Sequence, residues 1–365
     1  MKRIARIAAL GVCVPGLAGA IGSASAQSAN APDESAQRTS VNISPGEDSH
    51  TLHVYANLIQ IPVLVLGPGR EPVAPIAADR FRVSIDGGPR YKVRHVRIEG
   101  DDPISLAIFL DLRGPVDDLM QNIDVAMTGL VPLSLHPRDH VSIYGLGCDL
   151  ERSADDVAVA KAALQFGVDA LLKKRVQWKQ ERPKIACKDE WRLWDALGIV
   201  VQELSQVPGR RVILAVTNGE DRGSRLKWKQ IMQFAQAKGV AVFGIENQMY
   251  PLFVHSFQRE DPFDALCQLS GGLVMWANGD TLAEKLVQFT TMVRGRYIVQ
   301  FPRPYNSTAG SHNLAITIEK SDDFIRSAGI SVPIPDPALM TDPTTVPSDP
   351  SLTPQEGKRR ILPQK

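Results

Sequence analysis

Apolar and polar positions change period several times along the chain, and each change marks an element. Residues 53–66 alternate in the manner of a strand and stop at Gly67-Pro68-Gly69. Phe81, Val83 and Ile85 alternate with Arg82, Ser84 and Asp86, and Asp86-Gly87-Gly88 predicts a hairpin turn. Tyr91 and Val93 share one parity while Val96 and Ile98 share the other, which predicts a β-bulge near Arg94-His95. From residue 104 onward, short apolar runs alternate with helical spacing. The runs at 104–112, 141–146, 212–216, 240–245 and 273–276 predict buried strands. Helices are predicted around 119–130, at 157–173 with Val159, Ala163, Phe166 and Leu171 near one face, and at 189–205, 226–238 and 281–293. Gly239 supplies a C-terminal stop for the fourth of these. Such alternation argues for an α/β, Rossmann-like, mostly parallel sheet with helices on both faces. Further strands are predicted at 296–301 and 313–319, with a third at 330–334.

The ends of the chain have another character. Lys2, Arg3 and Arg6, an apolar stretch from Ile7 to Ile21, and Ala24-Ser25-Ala26 have the order of a secretory signal over residues 1–26. Residues 27–50 are polar and aperiodic, as in a flexible leader. The predicted organisation continues with a small β module at 51–100, the α/β domain at 101–294, a β-strand addition at 295–334 and a Pro-rich disordered tail at 335–365. No other run is apolar and long enough to span a membrane, so the expected location is the periplasm or the extracellular space.

Composition narrows the function classes. The chain is 44% hydrophobic and 22% charged with a formal net charge of +1, an ordinary globular balance with no electrostatic footprint for nucleic acid. Cleavage of the signal over 1–26, which holds Cys13, leaves Cys148, Cys187 and Cys267. An oxidising compartment permits one disulfide, and Cys148 with Cys187, both near the same sheet edge, form the candidate pair. Cys267, on a helix face beside Leu266 and Leu269, reads as core.

Two strand ends carry most of the candidate chemistry. Ile104 to Leu112 runs into Arg113-Gly114-Pro115, and Val212 to Val216 runs into Thr217-Asn218-Gly219-Glu220-Asp221. Buried parallel strands present such C-terminal ends to ligands. With Phe81 to Pro89, Leu193-Trp194-Asp195-Ala196-Leu197, Leu269-Ser270-Gly271-Gly272 and Arg296 to Pro302, these segments resemble a secreted bacterial family related to the von Willebrand factor type A domain, over about residues 53–334. That resemblance implies a von Willebrand A-like fold and a non-enzymatic adhesion or protein-interaction role. It also implies a divalent metal, Mg²⁺ as a rule, held by an Asp-x-Ser-x-Ser motif, a Thr and an Asp.

The metal-binding pattern is altered in this chain. Arg113 and Pro115 stand where the two Ser should be, Trp191 where the Thr should be, and Asn218 where the second Asp should be. Asp111 alone is kept, with Asn218 and Asp221 as the remaining weak ligand candidates. An Arg beside the site repels a divalent cation and is able to pair with Asp111 instead. The plainer alternative is that Asp111 and Asn218 satisfy backbone amides at the loop starts. The expected cofactor is therefore none. The expected partner is a protein or an anionic envelope component, met by Arg113, Trp178, Trp191 and Trp228 beside the basic run from Lys173 to Lys184, because exposed Trp and Arg favour interface hot spots. A divergent metal-dependent adhesion domain and a hydrolase on the same edge are the alternative functions.

Other patterns point to less. His136 and His140 have helical metal spacing, but Pro137 and the following strand remove the helix. There is no Gly-x-Ser-x-Gly nucleophile motif, and Gly145-Leu146-Gly147 lacks the rest of a dinucleotide loop. The apolar segment 247–262 is equally consistent with a functional loop and with one packed onto the body.

Overall fold

The computed structural model of the chain describes residues 53–55, 58–113, 117–181, 192–247, 261–302, 310–321, 323–327, 331–332 and 345–347. All of them belong to one unit, residues 52–365. The leader and signal-like segment at 1–50 and most of the Pro-rich tail lie outside the described residues.

In chain order the strands are β1 (His53–Tyr55), β2 (Leu58–Leu66), β3 (Phe81–Ile85), β4 (Tyr91–Lys92) and β5 (His95–Ile98), before the α/β portion begins at β6 (Ile104–Asp111). Helices α1 (Asp117–Gln121) and α2 (Ile123–Thr128) precede β7 (His140–Leu146), β8 (Leu150–Ala158), α3 (Lys161–Glu181), α4 (Leu193–Leu204) and β9 (Arg210–Val216). Then come α5 (Trp228–Lys238), β10 (Val240–Asn247), α6 (Pro262–Ser270), β11 (Val274–Ala277) and α7 (Leu282–Arg294). The chain closes with β12 (Tyr297–Pro302), β13 (Gly310–Ser311), β14 (Leu314–Ile318), β15 (Phe324–Ser327), β16 (Ser331–Val332) and β17 (Thr345–Pro347).

The central sheet has six strands in the order β11-β10-β9-β6-β7-β8. Every pair is parallel except β7 with β8. Counted within the α/β portion this is the doubly wound order 3-2-1-4-5-6, read from the β8 edge. Helices cover both faces. Leu119 of α1, Met127 of α2, Leu164 and Leu171 of α3 and Phe289 of α7 pack with Ile108, Leu110 and Leu214 on one face. Trp194, Leu197 and Val201 of α4, Ile231 of α5 and Phe263 of α6 pack with Phe109, Ile213 and Val242 on the other.

The strands before and after the α/β portion share their sheets. β2 lies between β15 and β12, with β5 beyond β12, and β14-β3-β4 form a second antiparallel sheet. Ile61, Val63 and Val65 of β2 meet Phe81, Val83, Val299, Phe301 and Ile316 in a third core. Leu64 and Leu66, on the opposite parity of β2, join the core of the α/β portion. A buried Glu99–Arg296 pair, bidentate at 2.8 Å on both arms, sits where β5 leaves and β12 enters this sandwich.

Three local expectations are corrected. The parity change near Arg94-His95 is a change of sheet: β4 pairs with β3, while β5 pairs with β12. Residues 150–158 form an antiparallel edge strand, β8, and the helix after it starts only at Lys161. That start turns Phe166 outward to 74% exposure and buries Leu164, Val168 and Leu171 instead. By contrast α5 does stop at Gly239, whose φ of 63° is the left-handed cap that glycine takes at little cost.

Candidate functional site

The doubly wound order has its switch point between β6 and β9, and ligands of such sheets gather at the carboxyl ends there. Period-two alternation sets what lines that point. Ala107 and Phe109 of β6 and Ile213 and Ala215 of β9 face the α4–α6 side, so Asp111 and Thr217 extend the same rows as polar residues. In β10, Val240 and Val242 put Glu246 on that side, and in β11 Val274 does the same for Trp276. The result is a polar row across four neighbouring strand ends: Asp111, Thr217, Glu246 and Trp276.

Asp111 is buried and fully engaged. Its Oδ1 accepts from the Arg113 backbone N–H at 3.1 Å and from Arg113 Nε at 3.0 Å. Its Oδ2 accepts from Arg113 Nη2 at 3.2 Å and from the Thr217 hydroxyl at 2.9 Å. The Arg113 side chain is 7% exposed, so the guanidinium lies along the strand end and does not project as a surface arginine. Arg175, near the end of α3, donates from Nε to the Leu112 carbonyl at 3.1 Å, bringing a second guanidinium to the same strand end.

The other ligand candidates are placed differently, and the expectation that Asn218 satisfies backbone amides is corrected. Asn218 is 1% exposed and neither of its amide atoms has a hydrogen-bond partner among the described residues. The backbone turn there is closed instead by Gly219 N–H donating to the Thr217 hydroxyl at 3.2 Å. Asp221 caps α4: its Oδ1 accepts from Trp194 N–H at 3.3 Å and from the Ser224 hydroxyl. Asp195 completes that junction by accepting from the backbone of Arg225 and Leu226 at 3.1 and 2.9 Å. One carboxylate whose two oxygens already accept four hydrogen bonds, with a guanidinium on it, does not fit a divalent cation, which needs several free oxygen donors. Among the described residues no group of three or more His, Cys, Asp or Glu side chains is placed to hold a metal.

Of the aromatic candidates, Trp228 opens α5 half-buried against the α4–α6 core, with Lys229 Nζ 5.4 Å from its ring centroid. The side chain of Trp178 and the whole of Trp191 lie outside the described residues. Lys174 of the basic run pairs with Glu151. Cys148 is disulfide-bonded, and Cys187, its expected partner, lies outside the described residues. Cys267 is buried and free, as expected of a core thiol. The segment 248–260 also lies outside the described residues.

Glu246 is the residue that sequence reasoning passed over. It ends the apolar run of β10 and is 1% exposed. Burial pushes its carboxyl up to about 8, the Asp261 and Asp264 charges push the same way, and a hydrogen bond with the Trp276 side chain opposes them. It is therefore largely protonated at neutral pH. The available signal was a lone acid in phase with Val240 and Val242.

No family model matches the chain, and no curated protein matches it. Among solved structures the chain is similar to proximal thread matrix protein 1 from the mussel byssus, at 11% identity and a TM-score of 0.41 over 57% of this chain and 51% of that one. It thus spans about half the length of the mussel protein. It is also similar to the conserved hypothetical protein BatB from Bacteroides thetaiotaomicron, at 12% identity and a TM-score of 0.34 over 52% of this chain and 98% of that one. An aerotolerance-related membrane protein from Bacteroides fragilis gives the same values, 12% identity and 0.34 over 52% and 98%. At these levels the fold rests on the chain's own strand order: an α/β, mostly parallel six-stranded sheet with helices on both faces. No helix among the described residues is long and apolar enough to cross a membrane.

Proposed function

We propose that the chain is a von Willebrand A-related, non-enzymatic interaction domain that binds a protein partner without a metal ion, in the periplasm or outside the cell. One observation carries the reading: at the switch point, where the related family seats a divalent cation, both oxygens of Asp111 are taken by Arg113 and Thr217. The guanidinium closes Asp111 in a buried, charge-balanced ion pair, so this strand end does not depend on metal supply. The strand order and the basic end of α3 beside Leu112 support the same reading.

The test is capture of the partner from an envelope extract with and without chelator. Binding is expected to survive chelator and to fall in a folded Arg113→Gln, Trp178→Ala double variant. Loss of binding in chelator alone would overturn the proposal.

A further inference from the structure

We infer that Arg210, at the start of β9, binds one carboxylate together with Arg97. The site lies at the amino ends of the parallel strands, opposite the end that carries Asp111, so it does not rest on the interaction reading above.

Four guanidinium groups gather around the turn Glu99-Gly100-Asp101-Asp102 between β5 and β6. Arg296 holds both oxygens of Glu99 at 2.8 Å. Arg294 pairs with Asp139 and donates from Nη1 to the Asp102 carbonyl at 2.8 Å. Arg97 Nη2 donates to Asp102 Oδ2. Each of these three carboxylates thus has its own guanidinium, and Arg210 is the fourth. Its Nη2 stands 3.9 Å from Asp102 Oδ2, the oxygen that Arg97 already holds. That is too long for a hydrogen bond, and its guanidinium makes none among the described residues. Arg138, which donates to the Asp101 carbonyl at 3.4 Å, and the exposed side chain of Asp101 add one charge of each sign. The turn is left with one positive charge in excess.

That charge is partly withdrawn from water. The Arg210 side chain is 23% exposed, against 44% for Arg97. Burial pulls the Arg210 guanidinium below its ordinary value; Glu99 and Asp102 oppose that pull, while Arg97 and Arg296 add to it. Arg296 lies under the site at 1% exposure, and its Nη1 has no hydrogen-bond partner among the described residues. A guanidinium out of water without a hydrogen-bonded counter-charge is unfavourable, and an oxyanion with two acceptor oxygens matches its fork. Arg97 and Arg210 both bring Nη2 to the same Asp102 oxygen, so their remaining donors stand side by side at the surface. The excess is a single charge and Asp102 flanks it, which favours a carboxylate over a doubly charged phosphate.

The test follows thermal unfolding of the full chain by differential scanning fluorimetry at neutral pH and constant ionic strength. Chloride is replaced stepwise by acetate, with acetamide as the neutral control, and the blocked tripeptide acetyl-Gly-Asp-Gly-amide supplies a protein-borne carboxylate. The midpoint is expected to rise saturably with acetate or with the peptide and to ignore acetamide. In Arg210→Gln the apparent affinity should fall roughly tenfold or more, the worth of one charge-assisted contact, and Arg210→Lys should keep part of it. In chloride alone Arg210→Gln should melt at or above the parent, because it removes an unmatched, half-buried charge. A stronger response to the peptide than to acetate assigns the carboxylate to a protein, and the reverse assigns it to a free acid; both support the site. No saturable response to either probe, an equal response in Arg210→Gln, or a lower midpoint for Arg210→Gln in chloride alone would overturn the inference. None of these readouts involves Asp111 or Arg113, so the interaction reading stands or falls separately.

Discussion

Replacing Arg113 by Ala removes two side-chain hydrogen bonds from the Asp111 carboxylate, at 3.0 and 3.2 Å, and leaves that carboxylate buried with the Arg113 backbone N–H and the Thr217 hydroxyl. Deleting one partner of a buried pair costs about 3–5 kcal/mol, because the other charge stays out of water without compensation. The two donors that remain on Asp111 put this variant near the lower end, about 3 kcal/mol. Asp111→Asn removes the opposite charge and should cost a similar amount. The double variant Arg113→Ala, Asp111→Asn should cost clearly less than the sum, with a coupling of about 2 kcal/mol. Urea denaturation at neutral pH, followed by circular dichroism, measures all four proteins, and an unchanged m-value licenses the comparison. If Arg113→Ala stays within about 0.5 kcal/mol of the parent, the guanidinium is not the buried partner of Asp111 and the account of the site fails.

Glu246 gives a pH-dependent prediction. Its carboxyl is raised from 4.5 to about 8 in the folded chain, so between those values the native state holds a proton that the unfolded state has released. Stability is then full below pH 4.5 and is lost as pH rises toward 8, by on the order of 3 kcal/mol at pH 7. Glu246→Gln should remove most of that loss, so urea midpoints that stay parallel for variant and parent from about pH 5 to 8 would contradict it. Glu99→Gln leaves Arg296, 1% exposed, without its counter-charge. It should cost about 3–5 kcal/mol in urea unfolding, and a loss under about 1 kcal/mol would refute the assigned role of the pair. Gly219 has φ 74°, and an added Cβ would stand 2.8 Å from the Phe263 Cβ. Gly219→Ala should therefore lower stability by about 2 kcal/mol or more, and a thermal midpoint equal to the parent's would refute that packing.

How legible these features were depends on what each residue answers to. The strands β6, β9 and β10 are buried along nearly their whole length, so uninterrupted apolar runs announced them. β8 stayed hidden because Glu151, Arg152, Asp155 and Asp156 populate a half-exposed antiparallel edge, where no inward face needs to be apolar. Moving the helix start to Lys161 then rotated Phe166 out of the expected face. The strand additions on either side of the α/β portion carried no sign that they would pair, since β2 with β12 and β3 with β14 join segments from opposite ends of the described chain. At the site, the conflict between Asp111 and Arg113 was visible as residue types, while the bidentate geometry and the help of Thr217 required coordinates. Glu246 was concealed by its own strand: a single acid after a buried run looks like a strand end until the neighbouring strands are placed around it.

The central claim is that Arg113 occupies the place of a cation beside Asp111. Isothermal titration of the purified chain with Mg²⁺ and Mn²⁺, alongside Asp111→Asn, tests it most directly. The account predicts no saturable heat for either protein at millimolar metal. Stoichiometric binding by the parent that disappears in Asp111→Asn would contradict it.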